Sequence, residues 1–149
     1  MSGSSPLSTL TVAAPAKINV YLRVIARRPD GFHELETVMA KLDLADTLQF
    51  SPREDGALTL QVAQLYPRSL GRIDVPVTAD NLVLKAATLL RQETGCRRGA
   101  SITLWKRIPA AAGLGGGSSD AALTLKTLNA LWSLGLSGAD LSTFAARLG

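Results

Sequence analysis

The chain has 149 residues, of which 46% are hydrophobic and 19% charged, a size and composition that suit one globular domain and exclude a disordered segment. Its single cysteine, Cys96, excludes an intrachain disulfide, and its single histidine, His33, excludes a zinc site built from several Cys and His ligands. The net charge of +4 comes from residues 76–149, which carry eight basic and four acidic side chains. This excess predicts either a solvated basic face or an anionic partner.

The first sixteen residues contain no Asp, Glu, Lys or Arg and no long apolar run. They therefore match neither a membrane span nor a secretory signal, and we predict a cytoplasmic protein that does not bind membranes. Residues 1–12 are rich in Ser, Thr and Gly, and we predict that they form a loose leader before a domain of residues 13–149.

Apolar and polar residues alternate from Ile18 to Ile25, which is the period of a β-strand. Pro29-Asp30-Gly31 favours a turn, so we predict that Ile18–Ile25 and Leu35–Leu42 pair antiparallel around a loop of residues 27–33. A long loop is predicted over residues 64–79. Further short strands are predicted at Leu10–Ala13, Thr47–Phe50, Leu58–Val62 and Ser101–Trp105.

Three helices are predicted in the second half of the chain. Asp80 or Asn81 caps the first helix, and Gly95 ends it. Ser118 or Ser119 caps the second helix, with Asp120 in its first turn, and Ser137 opens the third. The second helix carries an apolar stripe of Ala121, Leu125, Leu128 and Trp132. The predicted fold class is α+β, a mostly antiparallel sheet with helices on one face.

A glycine-rich loop lies between the last predicted strand and the second helix. It consists of Pro109, Ala110, Ala111, Ala112, Gly113, Leu114, Gly115, Gly116, Gly117, Ser118 and Ser119. A Walker loop would end in Gly-Lys-Ser/Thr and a dinucleotide loop would follow G-x-G-x-x-G, and this loop matches neither. Glycines before a helix amino terminus favour phosphate binding, with a flexible linker as the alternative.

The loop sequence from Pro109 to Ser119 resembles the ATP loop of the GHMP kinases, the family of galactokinase, homoserine kinase, mevalonate kinase and phosphomevalonate kinase. Two further stretches narrow the resemblance to the branch whose substrate is a cytidine-diphosphate-linked methylerythritol. Residues 14–19, Ala-Pro-Ala-Lys-Ile-Asn, resemble the first strand of that branch, and residues 28–35 resemble its cytidine-binding loop. Asp80-Asn81-Leu82 also matches, at the start of the first helix.

The resemblance implies an ATP-dependent kinase with Mg²⁺ that phosphorylates the 2-hydroxyl of this small molecule in the non-mevalonate isoprenoid pathway. It assigns Lys17 as the catalytic residue beside the acceptor hydroxyl, and it implies no protein metal ligand. Substrate binding is assigned to Asn19, Phe32 and His33. ATP binding is assigned to the glycine loop, Pro109–Ser119, together with Asn81 and Lys106.

The family's general base is an aspartate in a Gly-x-Asp-Val-Pro stretch, and the sequence stops at the first glycine of that stretch, Gly149. We therefore expect the amino-terminal half of a kinase, with a carboxy-terminal half missing and no turnover by this chain alone. Two alternatives stay open: another GHMP kinase, such as a mevalonate or homoserine kinase, and a small basic module that binds nucleotide or nucleic acid. The scattered aromatic residues argue against a nucleic-acid partner.

Overall fold

A computed structural model describes residues 8–70 and 75–149 of the chain. Over these residues a four-stranded sheet packs against three α-helices, and a 3-10 turn spans Arg68–Leu70. The strands are β1 (Leu10–Arg27), β2 (His33–Arg53), β3 (Leu58–Gln64) and β4 (Gly99–Lys106). The helices are α1 (Leu82–Thr94), α2 (Gly116–Leu131) and α3 (Gly138–Ala146).

The spatial order of the strands is β1-β2-β4-β3. β1 and β2 pair antiparallel along their whole length, from Leu10 opposite Phe50 to Arg27 opposite His33, so the separately predicted strands join into two long ones. β2 and β4 are antiparallel, whereas β3 and β4 are parallel because α1 crosses between them. The predicted α+β class and mostly antiparallel sheet are confirmed.

The start of β1 corrects the predicted leader. Leu10 lies opposite Phe50 and Val12 opposite Leu48, so residues 10–12 belong to the sheet and not to a loose leader. Residues 1–7 of that leader lie outside the described residues, as do residues 71–74 of the loop predicted over residues 64–79. No helix within the described ranges is both long enough and apolar enough to cross a bilayer.

Two of the three predicted helix starts are confirmed. Asn81 caps α1 by accepting the Val83 N–H at 2.8 Å. Ser137 and Asp140 form a reciprocal capping box at the start of α3. The predicted Ser118 or Ser119 cap of α2 is wrong: α2 begins at Gly116, after Gly115 in the left-handed region with φ 68°. Because the helix starts earlier, Asp120 lies in the second turn of α2 and not in the first.

The core lies between the sheet and the helices. Alternate residues of β2 and β4 enter it, including Leu48, Phe50 and Leu104. The predicted apolar stripe of α2 is confirmed, since Ala121, Leu125, Leu128 and Trp132 are all buried. Through this core, α2 packs against β1 and β2.

Beyond this core, residues 18–44 of β1 and β2 project as a hairpin, which we call the outer hairpin. Consecutive residues are exposed there, so both faces of the two strands are open: Tyr21 is 45% exposed and Leu22 54%. Its exposed large hydrophobic residues are Ile18, Val20, Tyr21, Leu22, Val24, Ile25, Phe32, Leu35, Val38, Met39 and Leu44.

Candidate functional site

The glycine loop leaves β4 after Lys106 and enters α2 at Gly116. Gly113 and Gly115 adopt φ of 74° and 68°, values that favour glycine, and Ala111 adopts φ 56° at some cost in strain. The helix amino terminus presents backbone N–H groups without intrahelical partners together with a partial positive charge. The loop therefore ends at a site whose local chemistry suits phosphate.

A cleft of about 360 Å³ opens beside this loop. The loop and the first turn of α2 form one wall, and apolar side chains from β4, α1 and the segment before α1 form the other, among them Leu104, Leu82 and Val75. The volume lies within the range of small-molecule sites, about 300–1,000 Å³. An apolar wall facing a backbone-lined wall can accept a ligand with a flat apolar part and an anionic part.

Lys17 of β1 is fixed directly against the loop. Its backbone N–H donates to the Leu114 carbonyl at 2.9 Å, and a Cβ on Gly115 would lie only 2.9 Å from Lys17 Cε. Its Nζ donates to Asn19 Oδ1 at 3.4 Å, as expected for side chains two residues apart on one side of a strand. The structure therefore brings together the predicted catalytic lysine, Asn19 and the glycine loop.

Thr37 of β2 joins this group, and sequence reasoning missed it. Its Oγ1 donates to the Tyr21 carbonyl at 2.9 Å and lies 3.5 Å from Asn19 Oδ1. The hydroxyl proton goes to the nearer Tyr21 carbonyl, so Thr37 lies beside Asn19 at the outer limit of hydrogen-bond distance. No local motif marks Thr37, because its position depends on the β1–β2 register.

Lys106, a predicted ATP contact, lines the cleft, but its ammonium is bound by two carboxylates. It is 3% exposed, and its Nζ donates to Asp46 Oδ2 at 2.5 Å and to Asp120 Oδ2 at 2.9 Å. Asp46 Oδ1 in turn accepts the backbone N–H groups of Arg107 and Ile108 at 2.6 and 2.9 Å. The Lys106 ammonium is thus held by two buried carboxylates beneath the loop, so it lacks a free charge to offer a ligand.

Burial and neighbouring charges shift the pKa values of Lys106 and Asp120. Burial alone would lower the pKa of Lys106, but the Asp120 and Asp46 carboxylates outweigh it and hold the pKa above its ordinary value. Burial raises the pKa of Asp120 to about 7; Lys106 opposes this rise and Asp46 adds to it. Asp120 Oδ1 has no hydrogen-bond partner, which agrees with a carboxyl that takes up a proton easily.

Asp46 could have been found from the sequence pattern. Asp46, Leu48 and Phe50 alternate on one side of β2, and the last two are fully buried. On β4, Leu104 and Lys106 alternate in the same way. Two charged residues of opposite sign on the inward faces of adjacent strands indicate a buried ion pair.

Asn81 lines the cleft, but its side chain is already occupied. Its Oδ1 caps α1 and its Nδ2 donates to the Pro76 carbonyl at 2.7 Å. At 5% exposure it fixes the segment before α1 against the helix. Its second Nδ2 hydrogen and the second lone pair of Oδ1 are not used by these two bonds, so the predicted contact with ATP does not require either bond to break.

Phe32 and His33 lie at the far end of the outer hairpin. Phe32 is 72% exposed, beside a turn that Gly31 forms with φ 87°. Ten residues of β1 separate Lys17 from Arg27, the partner of His33, and a regular strand of that length spans about 33 Å. The structure therefore separates these two predicted substrate residues from Lys17 along the β1–β2 ladder, which has two register shifts within the outer hairpin.

Several basic side chains of residues 76–149 bond to groups within the molecule. Arg91 donates to the Gly56 carbonyl at 2.9 Å and Arg98 to the Trp132 carbonyl at 3.0 Å. Arg147 pairs with Glu93 at 2.8 Å. With Lys106 also buried, these side chains do not form one free basic strip of the kind that binds nucleic acid.

The described residues hold no group of three or more His, Cys, Asp or Glu side chains close enough to bind a metal ion. They do fit the phosphates of ATP, because Gly113 has open space beyond it while the neighbouring backbone amides lie at a helix terminus. Mg²⁺ commonly binds through substrate phosphates and a few waters, so it would enter with the nucleotide.

Comparison with known proteins gives the class of protein that this chain is similar to. Residues 81–149 match the family described as GHMP kinases N terminal domain. A crystal structure of 4-(cytidine 5'-diphospho)-2C-methyl-D-erythritol kinase superposes on 94% of this chain and 46% of that one, with a TM-score of 0.74 and 41% identity. The described fold is that of the amino-terminal domain of a GHMP kinase.

The relatives found by sequence similarity carry the name of one kinase within this class. The chain is 49% identical over 141 residues to 4-diphosphocytidyl-2-C-methyl-D-erythritol kinase of Alcanivorax borkumensis, covering 95% of this chain and 45% of the relative. It is 50% identical over 136 residues to the kinase of that name from Verminephrobacter eiseniae, covering 91% and 42%. The resemblance inferred from the three motifs is confirmed, and the chain spans a little under half the length of these relatives.

Proposed function

We propose that this chain is the ATP-binding half of a kinase that phosphorylates the 2-hydroxyl of 4-diphosphocytidyl-2-C-methyl-D-erythritol, in non-mevalonate isoprenoid biosynthesis. The packing of Lys17 against the glycine loop carries the proposal. This contact joins a cation to backbone N–H groups at a helix terminus, the two features that phosphoryl transfer requires. The names of the relatives supply the substrate.

In this proposal the chain's own residues position the ATP phosphates and stabilise the negative charge of the transferred group. The N–H groups at the start of α2 bind the phosphates of ATP, which arrives with Mg²⁺, and the apolar wall of the cleft receives the adenosine. Lys17 stabilises negative charge between the γ-phosphoryl group and the acceptor hydroxyl. Asn19 orients the Lys17 ammonium through the 3.4 Å hydrogen bond, and Thr37 lies beside Asn19 on β2.

The cytidine end of the substrate would bind at the tip of the outer hairpin. Phe32 is exposed and able to stack on the base, a contact that contributes about 1–3 kcal/mol per base. His33 would hydrogen-bond the pyrimidine edge. Because these residues are distant from Lys17 along β1, a substrate that bridges both sites must be long, as a diphosphate-linked molecule is.

The exposed apolar residues of the outer hairpin also indicate that the kinase has a second half. Its apolar residues are exposed on both faces, and exposed apolar patches of this kind mark interaction surfaces. The relatives are about twice as long as the matched region. We propose that a carboxy-terminal half packs on this hairpin and supplies the general base, and that the whole kinase acts in the cytoplasm.

Isothermal titration with ATP·Mg and, separately, with CDP tests the proposal. We expect this chain to bind both ligands. Gly115→Ala should weaken ATP·Mg alone, because its Cβ would displace Lys17 and strain the backbone at φ 68°. Phe32→Ala should weaken CDP alone, so each variant serves as the control for the other.

Three results would contradict the proposal. Loss of both ligands in either variant would mean that the two subsites are not separate. Failure of the unaltered chain to bind either ligand would remove the claim of an ATP-binding half. Steady turnover of ATP and the cytidylyl substrate by this chain alone would contradict the need for a second half.

A further inference from the structure

The two ends of the glycine loop are tied to one another at the wall of the cleft. At its start, Asp46 Oδ1 accepts the N–H groups of Arg107 and Ile108 at 2.6 and 2.9 Å, so the end of β2 holds the chain where it leaves β4. Asp46 is fully buried, and water does not compete for these bonds. The direction in which the loop departs is therefore set by Asp46.

At its other end the loop is held through α2. Lys106 Nζ donates to Asp120 Oδ2 at 2.9 Å, one turn after the loop enters the helix. A Cβ on Gly116 would lie 2.9 Å from Ile108 Cγ2 and 3.1 Å from Lys106 Nζ, so the first residue of α2 touches both. One ammonium thus joins the carboxylate at the loop's start to the carboxylate at its end.

Stability does not explain this arrangement well. Burying three ionisable groups costs desolvation energy, and well-packed apolar side chains of similar volume commonly give equal or greater stability. A buried ion network gives instead directional bonds that define one geometry. Here those bonds act on the backbone at each end of the loop and leave Asp120 Oδ1 unsatisfied, at a visible energetic cost.

We propose that Asp46, Lys106 and Asp120 are positioning residues that hold the glycine loop in its phosphate-binding conformation. None of them needs to touch the nucleotide. Their role rests on the proposed function only in naming the ligand as the phosphates of ATP. The part of the proposal that concerns the loop's conformation stands independently of the ligand.

Asp120 offers the sharpest test, because two substitutions at this position distinguish loss of the Lys106 hydrogen bond from a change in side-chain packing. Asp120→Ala removes the Lys106 partner on α2, whereas Asp120→Asn keeps a side-chain oxygen that accepts the same bond. Thr124→Ala is the matched control: Thr124 is fully buried one turn later on α2, and its hydroxyl bonds only to the Asp120 carbonyl of its own helix. The control lowers stability without touching the loop.

Amide hydrogen exchange of residues 109–118 and titration with ATP·Mg are measured on all four proteins. We expect Asp120→Ala to speed exchange in the loop selectively and to weaken ATP·Mg binding by about tenfold or more, from the loss of a charge-assisted bond. Asp120→Asn should restore both values. Thr124→Ala should change neither.

Equal loop exchange in Asp120→Ala and Thr124→Ala would overturn the proposal, as would failure of Asp120→Asn to restore the loop. If the unaltered chain does not bind ATP·Mg but the exchange pattern holds, the loop-positioning proposal stands and the proposed function fails. If Asp120→Ala does not fold, Asp46→Asn replaces it. Its amide keeps one oxygen for the Arg107 and Ile108 N–H groups and points an NH₂ at Lys106, so unchanged loop exchange in this variant would overturn the proposal.

Discussion

The two halves of the β1–β2 ladder differ sharply. Up to Lys17, burial alternates along β1, and Ala14 and Ala16 are fully enclosed. From Ile18 onward every residue of β1 is exposed, although the same two strands continue to pair. One pair of strands therefore supplies both an enclosed loop-binding end and an open outer hairpin.

The difference teaches where each half obtains its stability. The enclosed end is held by side-chain packing and by the Asp46–Lys106–Asp120 network. The outer hairpin has its ladder hydrogen bonds, the Thr37–Tyr21 bond and a tip where the Arg28–Asp30 ion pair at 2.7 Å braces the turn, but no packed core. An isolated two-stranded hairpin is at best marginally stable in water. The same kind of substitution should therefore have very different effects in the two halves.

Lys106→Met should produce the largest effect, at the enclosed end. It leaves the Asp46 and Asp120 carboxylates buried near each other without their shared cation. Breaking a buried ion pair from one side costs about 3–5 kcal/mol of unfolding free energy. Urea denaturation at pH 8 measures this loss.

Lys85→Met is the control, because Lys85 is exposed on α1. Its unfolding free energy should stay within about 0.5 kcal/mol of the unaltered chain. Equal stability of the Lys106 and Lys85 variants would show that the network contributes nothing to the enclosed end.

Gly116→Ala should have the next largest effect. The added Cβ would lie 2.9 Å from Ile108 Cγ2, and overpacking of this kind costs about 1–3 kcal/mol. Gly138→Ala is the matched control, since Gly138 is also the first residue of a helix but a Cβ there meets nothing within 4 Å. Thermal unfolding should separate the two variants, and equal melting temperatures would contradict the close contact.

The contrast between the halves also explains what the sequence predicted. The β1–β2 pair followed from local information, the alternation of Ile18–Ile25 and the Pro29-Asp30-Gly31 turn. The start of α2 could not be predicted in this way, because Gly115 reaches φ 68° and the helix begins before either serine. The glycine content of the loop indicated this freedom without saying which residue would use it.

The site was partly predictable for the same reason. Lys17 and the glycine loop were found by motif, and the structure joins them through Leu114. Alternation along the strands marks Asp46 and Lys106 as inward-facing, but the partners of Lys106 lie 60 and 14 positions away, and no local pattern specifies that Asp120 is one of them. Lys106 stays a predicted nucleotide contact, since it lines the cleft, but its two carboxylate partners were not predicted.

The pH dependence of stability should also report on the enclosed end. Burial raises the pKa of Asp120 to about 7, above its ordinary value of 3.8, so the folded protein keeps a proton that the unfolded chain releases. Stability from this group is therefore complete below about pH 4 and is lost as the pH rises through 7. Asp55, whose pKa the Arg53 guanidinium lowers to about 2, titrates below this range.

Urea denaturation between pH 5 and 8 measures this slope. The unaltered chain should lose stability as the pH rises, and Asp120→Asn should lose less because it has no proton to release. Parallel profiles for the two proteins would place the titrating group elsewhere.

The smallest effect is expected in the outer hairpin. Leu22→Ser replaces a side chain that is 54% exposed and has little packing to lose, so unfolding free energy should change by no more than about 0.5 kcal/mol. Leu48→Ala, on β2 within the core, should cost about 2–5 kcal/mol and sets the scale for the comparison. A loss of about 2 kcal/mol or more in Leu22→Ser, measured by urea denaturation of this chain alone, would mean that the hairpin is covered in solution. The two halves of the ladder would then share one source of stability, and the need for a second half to cover the hairpin would lose its support.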